Sequence, residues 1–381
     1  TMHDFEFFNP TRVLFGRGTV PQIGQAAAGE GVSRVLLVAG GGSIRENGVY
    51  QAVVQSLAAQ GIEVVEAWGV RPNPEVEAAR RLVQTARERE VDGILAVGGG
   101  SVIDTAKSVA AGVYLDDVWD CFARQNGPVK ALPVLVVLTI SASGSEMDSW
   151  AVLTDGEHHR KWRVSSPVLF PRVAIIAPSV QTSLPWRQTV NGAVAVLSHL
   201  IATYVVGSFE ETTLALEESL MRSVVKMVDR LQADHADYGA RANLAWAATL
   251  AMNGLSSSGI EDGDWSAWSI ESAVSALHPD VAHGAGMAVI LPAWMTYLRD
   301  NNPGQFERWA ASLWGAGTVE GGIAAMKTAF QRWGAPATLG DLGVGAGELR
   351  EIAFNALSQG PLGKLQTLTA RDVVELLKPV L

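Results

Sequence analysis

The sequence predicts an α/β domain built on a mainly parallel sheet, followed by an all-α domain. Two patterns carry this. Between residues 34 and 176, short β-rich apolar runs alternate with helical stretches, and two of those runs end in glycine triplets. From Pro185 onward, long Ala- and Leu-rich helical segments take over and strand signals nearly vanish. Alternation of the first kind means βαβ units, whose parallel sheet is covered on both faces and binds ligands at the carboxyl ends of its strands. The change of character at Ser179–Pro185 sets domains of 1–183 and 184–381.

Taken in order, Arg34–Ala39 reads as a strand ending in glycines, 46–60 as a helix and 62–65 as a strand. Residues 75–90 are charged and helical, 93–97 form a third strand, and 102–113 a helix. Apolar runs at 133–140 and 173–176 add two strands. In the second half, helices are expected at 190–206, 210–231, 240–255, 265–277, 305–315, 319–333 and 370–378.

Composition narrows the function. With 381 residues and 48% of them apolar, the chain can bury large cores in two domains. A net charge of −10 argues against nucleic acid or an anionic membrane as a partner, since both need a basic face. No uninterrupted apolar run approaches the roughly 18 residues of a spanning helix, and Thr1–Asn9 does not read as a signal peptide, which points to the cytoplasm. Thr1 ahead of Met2 reads as an expression remnant. One cysteine, Cys121, permits neither an internal disulfide nor a cysteine metal cluster. The 12 tryptophans fit either a Trp-rich core or an aromatic-lined pocket.

Gly98-Gly99-Gly100-Ser101, with Asp104 beyond it, follows a strand and opens a helix. Glycines let a backbone approach a phosphate closely, and a helix N-terminus favours an anion. Ser101 can cap the helix or donate to the phosphate. Gly40-Gly41-Gly42-Ser43 ends the first strand, and no acid sits in that loop to hold a ribose 2′-hydroxyl. Arg45 nearby suits a 2′-phosphate, so NADP is favoured, with NAD the alternative.

Gly98–Ser101 with Asp104, Ala106 and Lys107 resembles the GGGS-x-x-D-x-A-K signature of the iron-containing alcohol dehydrogenases. Ser141-Ala142-Ser143-Gly144-Ser145-Glu146-Met147 is similar to that family's A-T-G-S-E-M segment, with Ser143 for Thr. Asp264-Trp265 through Ile290-Leu291-Pro292 resembles the region of its second metal-ligand pair, in the butanol-dehydrogenase-like branch. The resemblance implies the dehydroquinate synthase-like fold, a dinucleotide-binding first domain, and metal and substrate in the cleft before a helical second domain. It implies that Ser143 and Ser145 line the nicotinamide or phosphate region, that Lys161 meets the cofactor phosphate, and that the protein is a homodimer with a small-molecule substrate.

The same resemblance shows what is missing. That family holds its metal with one Asp and three His. Its D-x-x-x-H pair corresponds here to Ala195 and His199. Its W-x-x-H-x-x-E-H segment corresponds to Trp265 through Ser272, with Trp268 and Ser272 in place of the histidines. The later H-G is His283-Gly284, and the stretch from His278 is one residue longer than the family's spacing. Two of four ligands remain, where a catalytic metal needs about three protein ligands. Glu261, Asp262 and Asp264 are the nearest carboxylates to recruit.

No metal is therefore expected. Trp268 and Ser272 share a helical face, and with Ala195, Trp265 and Trp150 they are expected to line a substrate pocket remade for shape. The expectation is an NAD(P)H-dependent, metal-independent reductase acting on an activated C=N, conjugated C=C or C=O, with His199, His283 or His278 as catalytic candidates. A metal-dependent alcohol or aldehyde dehydrogenase with a rebuilt site is the second reading. A non-catalytic cofactor binder is the third.

Overall fold

The computed structural model describes residues 2–381; Thr1, read above as a remnant, lies outside the described residues. The chain forms two compact units, one of residues 8–184 and 235–253, the other of residues 2–7, 185–234 and 254–381. A single cut near residue 183 therefore misplaces two segments. Residues 235–253 belong with the sheet because Ala245 is buried in the same core as Ala174 and Ile176.

The sheet unit runs β1 (Arg12–Phe15), α1 (Ile23–Gly29), β2 (Arg34–Ala39), α2 (Ser43–Glu46), α3 (Val49–Ala58), β3 (Glu63–Ala67), α4 (Val76–Glu88), β4 (Gly93–Gly98) and α5 (Gly100–Gly112). It continues through α6 (Trp119–Ala123), β5 (Val134–Leu138), β6 (Trp150–Asp155), β7 (Arg160–Ser165) and β8 (Val173–Ile176). Six strands form one sheet in the order β1-β8-β5-β4-β2-β3, and every pairing in it is parallel. The strands are apolar on both faces because both faces are covered. Val35, Leu37, Leu95 and Val137 pack with Ile23 of α1 and Val53 and Leu57 of α3. Leu36, Val38, Ala96 and Val136 pack with Val83 of α4 and Ile103 and Val109 of α5.

β6 and β7 pair as a separate antiparallel ribbon, where Trp162 stacks on Trp119 at 5.4 Å. Neither the ribbon nor β1 is among the expected strands. The helix expected at 46–60 breaks at Gly48, whose φ of +80° ends α2 and starts α3.

The helical unit holds α7 (Trp186–Tyr204) and α8 (Glu211–Ala233). α9 (Tyr238–Leu250) belongs to the sheet unit. Next come α10 (Ser266–Leu277), α11 (His283–Leu298), α12 (Pro303–Trp314), α13 (Val319–Trp333), α14 (Leu349–Ala356) and α15 (Ala370–Leu377). Among the described residues, no helix is long and apolar enough to cross a membrane.

Candidate functional site

The sheet's winding reverses at β2, which pairs with β3 on one side and β4 on the other. Ligands of doubly wound sheets bind at such a reversal, beyond the carboxyl ends of the strands. Both glycine loops leave from that point: Gly40–Ser43 follows β2, Gly98–Ser101 follows β4, and Ala39 pairs with Val97. No side chain caps α5, whose N-cap is Gly99. Ser101 is not the expected cap; it lies in the first turn, and its carbonyl accepts from Thr105 Oγ1 at 2.8 Å. Gly41 and Ser43 are exposed, and Gly42 has a φ of +118°.

The glycines after β4 also answer to packing. A Cβ on Gly99 would lie 2.1 Å from Ile140 Cγ2, and one on Gly100 2.5 Å from Ser143 Oγ. The loop is thus pressed against the serine-rich turn. Ser143 Oγ accepts from the Ser145 amide at 3.2 Å, and Ser145 Oγ donates to Asp104 Oδ1 at 2.7 Å. Lys107, one turn beyond Asp104, donates to Asp148 Oδ1 at 2.7 Å and to the Trp150 carbonyl at 2.8 Å. Asp104 and Ser145 therefore spend their side chains on each other and tie this turn to α5. Burial pushes the Asp104 carboxyl up to about 7, although Lys107 and Ser145 oppose it.

Lys161 is not a loop cation: it is buried on β7, opposite Thr154. Trp150 stands on β6 beneath the Arg163 guanidinium, 4.8 Å from its ring centre. One residue beside the first glycine loop escaped sequence reasoning. Glu66, paired across β3 with Leu37, accepts from Trp68 Nε1 at 2.7 Å and from Tyr50, and Arg45 lies 3.4 Å away. Arg45 in turn lies over the Trp68 ring at 3.8 Å. Only strand register brings that acid to the loop; its distance along the chain conceals it.

In the helical unit, Ala195 and His199 are a turn apart on α7, and both are buried. Trp268 and Ser272 are likewise a turn apart on α10, and His283 opens α11. The His199 and His283 rings lie 6.3 Å apart at 21°, Trp268 is 6.3 Å from His283, and Trp265 is 6.4 Å from His199. Four predicted residues thus converge. Trp268 and Trp265 leave a void of about 10 Å³ beside His199, walled also by Ala202, Met287 and Leu291. That is at most one water.

Glu271 is the acid of the segment from Trp265 to Ser272. In the structure it is fully buried and hydrogen-bonded to His283 Nδ1. His199 Nδ1, Ser272 Oγ and His283 Nε2 are buried without a hydrogen-bond partner among the described residues. Burial first, and then His283, holds His199 down to about 3. His278 does not join this group; its Nε2 pairs with Glu348 at 2.7 Å.

The donor set does not fit the family's metal. No group of three His, Cys, Asp or Glu that could hold an ion occurs among the described residues. The carboxylates open to recruitment are engaged. Asp264 accepts from the Ser266 amide at 3.0 Å and the Lys364 and Leu365 amides at 2.9 and 2.8 Å. Asp262 accepts from Trp265 Nε1 at 3.0 Å, and Glu261 pairs with Lys364.

A doubly wound sheet with paired glycine loops at its reversal, joined in one chain to an all-helical unit, fits the class of dinucleotide-binding proteins. Comparison narrows the class. The family description "Iron-containing alcohol dehydrogenase" matches residues 10–178, and "Fe-containing alcohol dehydrogenase family, C-terminal" matches residues 189–381. The chain belongs to the iron-containing alcohol dehydrogenase family, in its butanol-dehydrogenase-like branch, and is an NAD(P)-dependent oxidoreductase. It is 36% identical over 391 residues to a probable NADH-dependent butanol dehydrogenase of Bacillus subtilis, covering 99% of each chain. NADH-dependent butanol dehydrogenase A of Clostridium acetobutylicum is also 36% identical, again over 99% of each. The crystal structure of NADH-dependent butanol dehydrogenase A from Thermotoga maritima superposes with a TM-score of 0.97 at 44% identity, covering 100% of this chain and 99% of that one.

Proposed function

We propose that the protein is an NAD(P)H-dependent reductase that works without a catalytic metal, on a relatively apolar substrate carrying an activated C=N, conjugated C=C or C=O. The observation that carries this is the donor set: Ala195 and Trp268 stand at two ligand positions, and Trp268 packs against His283. A Lewis acid stabilises a developing alkoxide by several kcal/mol. Without one, the substrate must bring its own activation, and an imidazole must supply the proton. A nicotinamide bound at the glycine loops would supply hydride to the substrate carbon, and His199 or His283 would serve as proton donor or orienting group for the atom that takes up the π electrons.

NADPH is favoured over NADH because the loop after β2 carries Ser43 and no acid, with Arg45 close by. The relatives named above use NADH, and Glu66 beside Arg45 opposes a 2′-phosphate, so the ratio of kcat/KM for the two cofactors decides this point. Family membership favours a second reading, a metal-dependent alcohol or aldehyde dehydrogenase with a rebuilt site.

Enzyme purified without added metal, stripped with a chelator and analysed for bound elements, is assayed with both cofactors on imines, conjugated enones, keto acids and simple aldehydes. Turnover of an activated substrate is expected after stripping. Loss of all turnover, restored by iron or zinc, establishes the second reading instead.

A further inference from the structure

We infer that the helical unit carries a second binding site, for a small apolar molecule ending in a carboxylate, in a cavity apart from the site described above. The cavity holds about 390 Å³ between α11, α13, α15 and the tail that follows α15. Met287 and Leu291 of α11 wall the void beside His199, whereas Ala288 and Pro292 line this cavity, so the two lie on different faces of one helix. Val289 and Ala293 extend that second face of α11. Opposite stand Phe330 of α13, Leu376 of α15, and Pro379 and Val380 of the tail. The two alanines on α11 leave the room that larger side chains would take. A space of this kind, mostly apolar with a few polar groups at its edge, is what a small-molecule site requires.

The polar side chains in the lining decide the charge of the ligand. Three are already engaged. Thr296 Oγ1 donates to the Pro292 carbonyl at 2.7 Å, Tyr297 Oη donates to Asp372 Oδ1 at 2.7 Å, and Glu375 accepts from Lys378 Nζ at 2.6 Å. Two remain. Lys327 and Gln331 stand one turn apart on α13, and neither side chain has a hydrogen bond or ion pair among the described residues. Both are exposed, which puts them at the mouth of the cavity. An ammonium only donates hydrogen bonds, and an amide offers two N–H groups beside it. Together they suit the two oxygens of a carboxylate whose tail lies between Ala293, Phe330 and Leu376. Glu375 does not cancel the charge of Lys327, because Lys378 already balances it. An exposed ion pair is weak, so the buried tail supplies most of the affinity and Lys327 sets the sign of the head group.

Titration calorimetry of the full chain with octanoate, octanamide and octylamine tests this, in wild type, Lys327→Gln and Ala293→Phe. Octanoate is expected to bind wild type at a single site per chain, and saturating NADH or NADPH is expected not to displace it. Octanamide and octylamine share the tail and bind more weakly. Lys327→Gln weakens octanoate by about 3- to 10-fold. Ala293→Phe, whose ring fills the cavity, removes binding, and both variants keep the cofactor affinity of wild type. Octylamine held as tightly as octanoate overturns the inference, and that comparison on wild type stands even where a variant fails to fold. Octanoate displaced by cofactor, held equally by Ala293→Phe, or not bound at all below its micellar concentration overturns it too. So does a change of oligomeric state in Ala293→Phe, read by sedimentation, which would assign this face to a second copy of the chain.

Discussion

At His199 nothing offsets burial, and the ring stays neutral through the ordinary pH range. Asp104 is buried as deeply, but its shift has the opposite consequence. Its folded value stands at about 7, above the unfolded value of 3.8, so the folded state holds a proton that the unfolded chain has released. The stability it contributes is complete below about pH 4 and is lost as pH rises toward 7. Asp104→Asn keeps an acceptor for Ser145 and has no proton to lose. Urea unfolding between pH 4 and 8 should show wild type losing stability relative to Asp104→Asn as pH rises. Parallel curves for the two proteins would mean that Asp104 is charged in the folded state. Nothing in the spacing of Asp104 reveals this. The signature residues are legible as letters, but their bond to Ser145 and the buried Lys107–Asp148 pair exist only once the turn is folded against α5.

Helices and strands were most legible where one rule decided them. Leu95 and Val137 face one layer and Ala96 and Val136 the other, so buried strands read as apolar runs bounded by glycines. α13 matched its expected span because Thr318 caps its start and Gly334, with a φ of +84°, ends it. β1 escaped because its apolar run, Val13-Leu14-Phe15, is only three residues long and lies half-exposed at the sheet edge. The ribbon escaped because Trp119 stacking on Trp162 supports it, a contact between segments distant in sequence. The approach of α11 to α7 is a fact of the same kind. In His283-Gly284 the histidine is what the sequence makes visible, yet Gly284 is what lets α11 approach α7 at Asn191. Gly284→Ala sets a methyl against backbone, where no rotamer change relieves it, and should destabilise the protein by about 1–3 kcal/mol or more. Gly304→Ala is the matched control, since nothing lies within 4 Å of its Cβ. Equal denaturation midpoints for the two variants would show that the helices can part freely there.

For the molecule as a whole, the fold was legible and the chemistry half so. Alternating runs followed by long helices foretold a parallel sheet and an all-helical unit, but they could not reveal that residues 235–253 return to the sheet. The missing ligands were legible as Ala195 and Trp268, whereas the Glu271–His283 bond was hidden between two helices. Ligand linkage turns this division into a measurement on the intact chain. Whatever binds the folded state alone stabilises it by RT ln(1 + [L]/Kd), about 2.7 kcal/mol at a hundredfold excess over Kd. A nicotinamide cofactor held at the glycine loops should therefore raise the melting temperature in step with its concentration. A structural or catalytic ion would do the same, and its removal would reverse the gain. With the donor set found here, a chelator should leave the melting temperature where it was, with or without cofactor, and added iron or zinc should not raise it. A chelator-induced drop recovered by a stoichiometric ion would place a metal in the folded protein, and Ala195 and Trp268 would then have to be read as neighbours of a differently built site.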